Sequence, residues 1–133
     1  MAQFVFADLA HRAGLDGSIV VDSAATSREE IGEPPHPGTV RELRAHGVPI
    51  GKHRARQVRR DEYDDWDMFI YMDGENERGL MRIFGGDPES KCAALLSFAG
   101  LSRDVADPWY TGDFGTTYRD IAMGCAALLE AMR

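Results

Sequence analysis

Cysteine is scarce in this chain, with Cys92 and Cys125 the two present. They form no C-x-x-C pair and no disulfide framework, and a reducing compartment fits. Long apolar runs are missing too. None approaches the ~20 residues that would span a bilayer, and Asp8, His11 and Arg12 interrupt the first segment where a signal peptide needs an unbroken apolar core. The expected location is therefore the cytoplasm, with no membrane partner. An excess of positive charge is also lacking: 15 Lys and Arg against 22 Asp and Glu give a net charge of −7 and a pI near 5.0. That removes any general attraction for nucleic acid or anionic lipid. Arg41, Arg44, Lys52, Arg54, Arg56, Arg59 and Arg60 crowd one segment, but Asp61, Glu62, Asp64, Asp65 and Asp67 follow at once, as on a self-compensating solvated surface. His11, His36, His46 and His53 share no metal-ligand spacing, so neither metal nor cofactor is expected. "GEPPHPG" and "FGGDPESK" contain glycines without forming a phosphate-cradling G-x-x-x-x-G-K-[ST] loop.

What is present is the composition of an ordinary globular chain, 44% hydrophobic and 28% charged over 133 residues. That length suits a single domain, 1–133. The opening "MAQFVFADLAHRAGLDG" places Ala2, Val5, Phe6, Leu9 and Ala13 on one helical face and Gln3, Asp8 and His11 on the other. Gly14 follows as a left-handed stop, while no capping residue stands ahead of the helix. "SIVVDSAAT" then supplies a short β-branched strand at Ile19, Val20 and Val21. "GTVRELRAHG" reads as a helix with Val40 and Leu43 inward, and "VRRDEYDDW" as a helical turn capped by Asp61. Residues 68–72, "MFIYM", read as a second strand and "KCAALLSF" as a third. Between them "DGENERGLMRIFGG" is a helix with Leu80, Met81 and Phe84 inward and Gly85 as its end. A final helix behind Asp113 carries Tyr118, Ile121, Cys125, Leu128 and Met132 inward. Helices thus alternate with strands as in a βαβ series, except that the first helix has no strand before it.

Chemistry concentrates in "DVADPWYTGDFGTTY", 104–118. Asp107 follows soon after a strand end, Pro108 stiffens the loop, and Trp109 with Tyr110 can wall an aromatic ligand. A carboxylate beside aromatic rings suits a general acid, although an Asp-Pro turn that merely covers a core edge has the same appearance. Ser23 stands at a strand end, where open α/β sheets bind ligands and where hydroxyls also bridge turns.

In order and spacing, "MAQFVFADL", "VDSAATS" with "EIGEPP", "AHGVP" with "ARQV", "DMFIYMD" and "DPWYTGDF" together resemble the low-molecular-weight protein-tyrosine-phosphatase family over essentially the whole chain. The resemblance implies an α/β, flavodoxin-like three-layer fold with a short parallel sheet of order 2-1-3-4. It implies hydrolysis of phosphotyrosine or small aryl phosphates without metal, through a cysteine in a Cys-x5-Arg loop. By position Asp107 matches the general acid, Trp109 and Tyr110 the aromatic wall, and Ser23 a hydroxyl supporting the phosphate loop. Glu29 falls in the variable loop where family members often carry an aromatic residue. The family's first, central strand and its nucleophile loop belong ahead of the residue matching Met1. Neither cysteine replaces that nucleophile, since six positions beyond Cys92 stands Phe98 and six beyond Cys125 stands Ala131. The chain as written is expected to be inactive, and to be marginally stable unless the remaining strands close the gap or another chain, a second copy included, supplies a strand. A catalytically dead binding or assembly module is the alternative, and an arsenate reductase ranks third because it needs further redox cysteines.

Overall fold

The computed structural model describes the backbone of residues 1–133 and every side chain except that of Trp109. Helix α1 (Ala2–Arg12) buries Phe4, Val5, Phe6 and Ala10. Ala2, Leu9 and Ala13 pack at the edge of that core, so the inward stripe lies rotated toward Phe4 from the expected face. Asp8 is also turned inward, its side chain only 11% exposed beside Arg12. Met1 provides no side-chain cap, as expected, and Gly14 at φ 73° ends the helix region.

Residues 19–25 then run extended, alternating half-buried and exposed with the period of a strand. The expected strand at Ile19–Val21 nevertheless makes no ladder, and Val20 is 81% exposed. This corrects the sequence reading, and the reason is physical: a strand exists only beside a partner backbone. The segment is tied instead at its far end, by a parallel bridge of Ala25 with Gln57. Ala25 N–H donates to the Arg56 carbonyl at 2.7 Å, and Val58 N–H to the Ala25 carbonyl at 2.9 Å.

Helix α2 (Pro37–Ala45) buries Leu43. A 3-10 turn, Arg60–Asp64, starts from Arg59, whose N–H donates to Glu62 Oε2, so the expected cap Asp61 lies one residue inside the turn. Strand β1 (Phe69–Tyr71) and strand β2 (Cys92–Ala94) pair in parallel, Ile70 opposite Ala93, joined through α3 (Gly74–Phe84). Asp73 caps α3 by accepting from Asn76 N–H at 2.8 Å. Gly85, at φ 73°, closes it. Of the third expected strand only Cys92–Ala94 is extended, and Leu95–Ala99 coils into a 3-10 turn. Four-residue α4 (Pro108–Thr111) precedes α5 (Phe114–Met132), capped by Asp113 as its sequence announces. Met132 on α5 is exposed instead of inward.

The period-2 rule explains the layers. Ile70 and Met72 face a core made with α1, α2 and α5, where Phe4, Leu43, Leu95, Ile121 and Cys125 are buried. Phe69 and Tyr71 face the other side, against Leu80 and Phe84 of α3 and Tyr63. Helices therefore cover both faces of a two-stranded parallel sheet. Between β1 and the extended segment at 19–23 lies a groove of about 490 Å³, floored by Leu95, Ile121, Cys125 and Leu128. No helix among the described residues is long and apolar enough to cross a membrane.

Candidate functional site

Two places carry the candidate residues. The first is a pocket of about 220 Å³ at the uncapped start of α1, lined among others by Gln3, Ser23, Glu30, His36 and His53. Ser23 Oγ lies 2.6 Å from Gln3 Oε1 and 3.1 Å from His53 Nε2. A hydroxyl has one proton and an amide oxygen only accepts. Ser23 therefore donates to Gln3, and His53 donates to Ser23 through Nε2. In that tautomer His53 cannot act as a base for Ser23, and the hydroxyl proton is committed to Gln3. Asp22 Oδ1 stands 3.6 Å from His53 Nδ1, and Asp22 Oδ2 accepts from Arg56 at 3.0 Å. Burial works against the Arg56 charge, but Glu62 and Asp22 outweigh it and raise its pKa.

Glu29 is not among the residues lining this pocket. It is exposed in its turn, and Glu30 and Glu33 line the wall instead. His53 and Gln3 escaped the sequence reading, because Ser23 and His53 are thirty positions apart and meet only through the bridge at Ala25.

The second place is the segment around Asp107. Asp107 is half-buried immediately ahead of α4, and its carbonyl accepts from Tyr110 N–H at 3.2 Å and Thr111 N–H at 3.3 Å. Ala106, just before it, donates its N–H to Asp120 Oδ2 at 3.0 Å and accepts at its carbonyl from Thr117 Oγ1 at 2.8 Å. Arg103 grips both oxygens of Asp120 at 2.8 Å. That hydrogen-bonded pair, opposed by burial and helped by the Ala106 N–H, holds the Asp120 carboxyl below the usual range. Tyr110 is 90% exposed, and the side chain of Trp109 lies outside the described residues. Neither Asp107 nor Tyr110 lines the pocket holding Ser23. Arg103, Thr117 and Asp120 carried no signal in the sequence beyond the helical spacing of the last two.

Both thiols are held protonated. Burial pushes Cys92 up to about 11, with Asp87 adding to the effect, and burial pushes Cys125, inside α5, up to about 12. A thiol in either state is a poor nucleophile at neutral pH. Among the described residues no group of three His, Cys, Asp or Glu side chains is placed to hold a metal ion.

The family model for low molecular weight phosphotyrosine protein phosphatase matches residues 1–133. The low molecular weight protein-tyrosine-phosphatase YfkJ of Bacillus subtilis is 40% identical over 135 residues, covering 100% of this chain and 86% of its own. The crystal structure of YfkJ superposes with a TM-score of 0.93 over 98% of this chain and 84% of that one. The human low molecular weight phosphotyrosine protein phosphatase is 33% identical over 138 residues, 98% of this chain and 85% of its own. The fold is accordingly the α/β, flavodoxin-like fold of these enzymes, and the chain belongs to the low molecular weight phosphotyrosine protein phosphatase family.

Proposed function

We propose that residues 1–133 are the scaffold and general-acid part of a phosphatase acting on phosphotyrosine or small aryl phosphate esters. Its nucleophile lies in a Cys-x5-Arg loop outside these residues, adjoining Met1. The thiolate of that loop attacks phosphorus and the bond to the aryl oxygen breaks. Asp107 gives its proton to the departing phenolate. The resulting carboxylate then takes a proton from the water that attacks the phospho-cysteine, and the S–P bond breaks. Trp109 and Tyr110 flank the aromatic ring, and Ser23, oriented by Gln3 and His53, supports the phosphate loop. Glu29 belongs to the variable loop that borders the entering substrate.

The placement of Asp107 carries this reading: half-buried, at the head of α4, in a chain matched by the family from residue 1 to 133. The protonated state of Cys92 and Cys125 supports the companion proposal that the 133-residue chain alone is inactive. Assay of p-nitrophenyl phosphate hydrolysis tests both. No turnover is expected from the chain alone, and turnover is expected once the segment encoded in frame upstream of the Met1 codon is included. An in-frame stop codon directly upstream, or turnover by residues 1–133, overturns the reading.

The groove between residues 19–23 and β1 favours a second reading, a binding or assembly module that accepts a strand from another chain. Sedimentation separates the two. With the upstream frame read as well, a module that takes its strand in trans has a stop codon directly ahead of Met1 and self-associates or needs a partner chain, whereas the incomplete phosphatase continues upstream into a Cys-x5-Arg loop and loses any self-association once that segment is present.

A further inference from the structure

We propose that Thr117 and Asp120 of α5, with Arg103, form a clamp that positions Asp107 for proton transfer to the leaving oxygen. The proposal rests on the reading of Asp107 as general acid. Thr117 and Asp120 are three residues apart and so project from one helix face. Between them they occupy both polar atoms of Ala106: Asp120 Oδ2 takes its N–H at 3.0 Å and Thr117 Oγ1 gives to its carbonyl at 2.8 Å. The carbonyl of Ala106 belongs to the same peptide plane as the nitrogen of Asp107, so that plane is fixed on the N-terminal side of Asp107. On the other side, the Asp107 carbonyl is held by Tyr110 N–H, Thr111 N–H and Thr111 Oγ1 at 3.2, 3.3 and 3.3 Å. One residue further back, Val105 N–H donates to the Met72 carbonyl at 2.9 Å, fastening the segment to the end of β1. With its flanking planes held, the backbone of Asp107 is fixed, which is the preorganisation proton transfer rewards.

Arg103 completes the device. The Asp120 side chain is 8% exposed and that of Arg103 is 54% exposed, so Arg103 reaches in from solvent to neutralise a buried carboxylate. Its two nitrogens meet the two carboxylate oxygens at 2.8 Å each. This bidentate grip fixes which way Oδ2 points, and therefore where Ala106 sits.

The test uses the protein expressed with its in-frame upstream segment and compares phenyl phosphate with p-nitrophenyl phosphate. Nitrophenolate leaves with little protonation, whereas phenolate needs the acid, and kcat/KM reports the step in which the aryl oxygen departs. Thr117→Val and Asp120→Asn are expected to lower kcat/KM for phenyl phosphate by about 10-fold and that for p-nitrophenyl phosphate by no more than about 2-fold. Thr117→Ser, which keeps the hydroxyl, is expected to restore the wild-type ratio. Equal losses on both substrates, or none, overturn the clamp while the phosphatase reading stands. If the unmutated protein turns over neither substrate, that reading fails and the clamp with it. Should Asp120→Asn fail to fold, Thr117→Val and Thr117→Ser decide the matter alone.

Discussion

Gly124 shows how tightly single residues are specified in α5. A Cβ built there would lie 2.5 Å from Leu95 Cγ and within 3.2 Å of both its methyls, and Leu95 is 1% exposed. Alanine would gain about 1 kcal/mol of helix propensity, but overpacking a closed core costs about 1–3 kcal/mol. Gly124→Ala is therefore expected to destabilise by about 1 kcal/mol, read as a lower urea midpoint with unchanged slope. The thiols make a second prediction at this scale. Cys92 is pushed to about 11 and Cys125 to about 12 by burial, so each is overwhelmingly protonated at pH 7. Both should react slowly with an aromatic disulfide reagent in the folded chain and rapidly in denaturant. A fast-reacting thiol in the folded chain at pH 7 would contradict the burial described for it.

At the scale of elements, α5 is held to the loop before α4 by a charge whose titration can be followed. Asp120 is depressed chiefly by its hydrogen bonds from Arg103, so its contribution to stability is fully present above the unfolded carboxylate value of about 3.9 and is lost as pH falls through the folded value. Asp120→Asn should cost about 2 kcal/mol at pH 7 and should flatten the acid limb of a urea-midpoint profile below about pH 4. Glu62, Asp87 and Asp113, also depressed, leave part of that limb in place. Elements of this kind were legible in the sequence where their signals are local. Asp73 with Gly85 and Asp113 with its apolar stripe announce α3 and α5, because caps and helical period act within a few residues. The strand expected at Ile19–Val21 makes no ladder because pairing is not a local property, and α4 carries no signal because four residues have no period. The site divides the same way. Asp107 stood out through its neighbour Pro108, whereas Asp120 and His53 reach their partners only through tertiary packing.

For the whole molecule, the groove beside β1 matters most, because among the described residues no strand pairs with β1 on the side away from β2. Phe69 N–H donates to the Lys91 carbonyl at 2.8 Å, toward β2. Strand alternation then turns the N–H of Ile70 the other way, into the groove that Ile70 lines. The apolar floor below it belongs to the same core that α1 and α5 share. In the 133-residue chain, native-state hydrogen exchange should find the amides of Phe69 and Tyr71 slow and that of Ile70 at least about 10-fold faster, although Ile70 is the middle residue of its strand. With the in-frame upstream segment present, Ile70 is expected to join the slow set and the thermal midpoint to rise, since a strand in the groove would accept that N–H and cover the floor. Equal protection of Phe69, Ile70 and Tyr71 in the 133-residue chain would mean that the groove closes in solution, and the edge would then have no vacancy for a strand to fill.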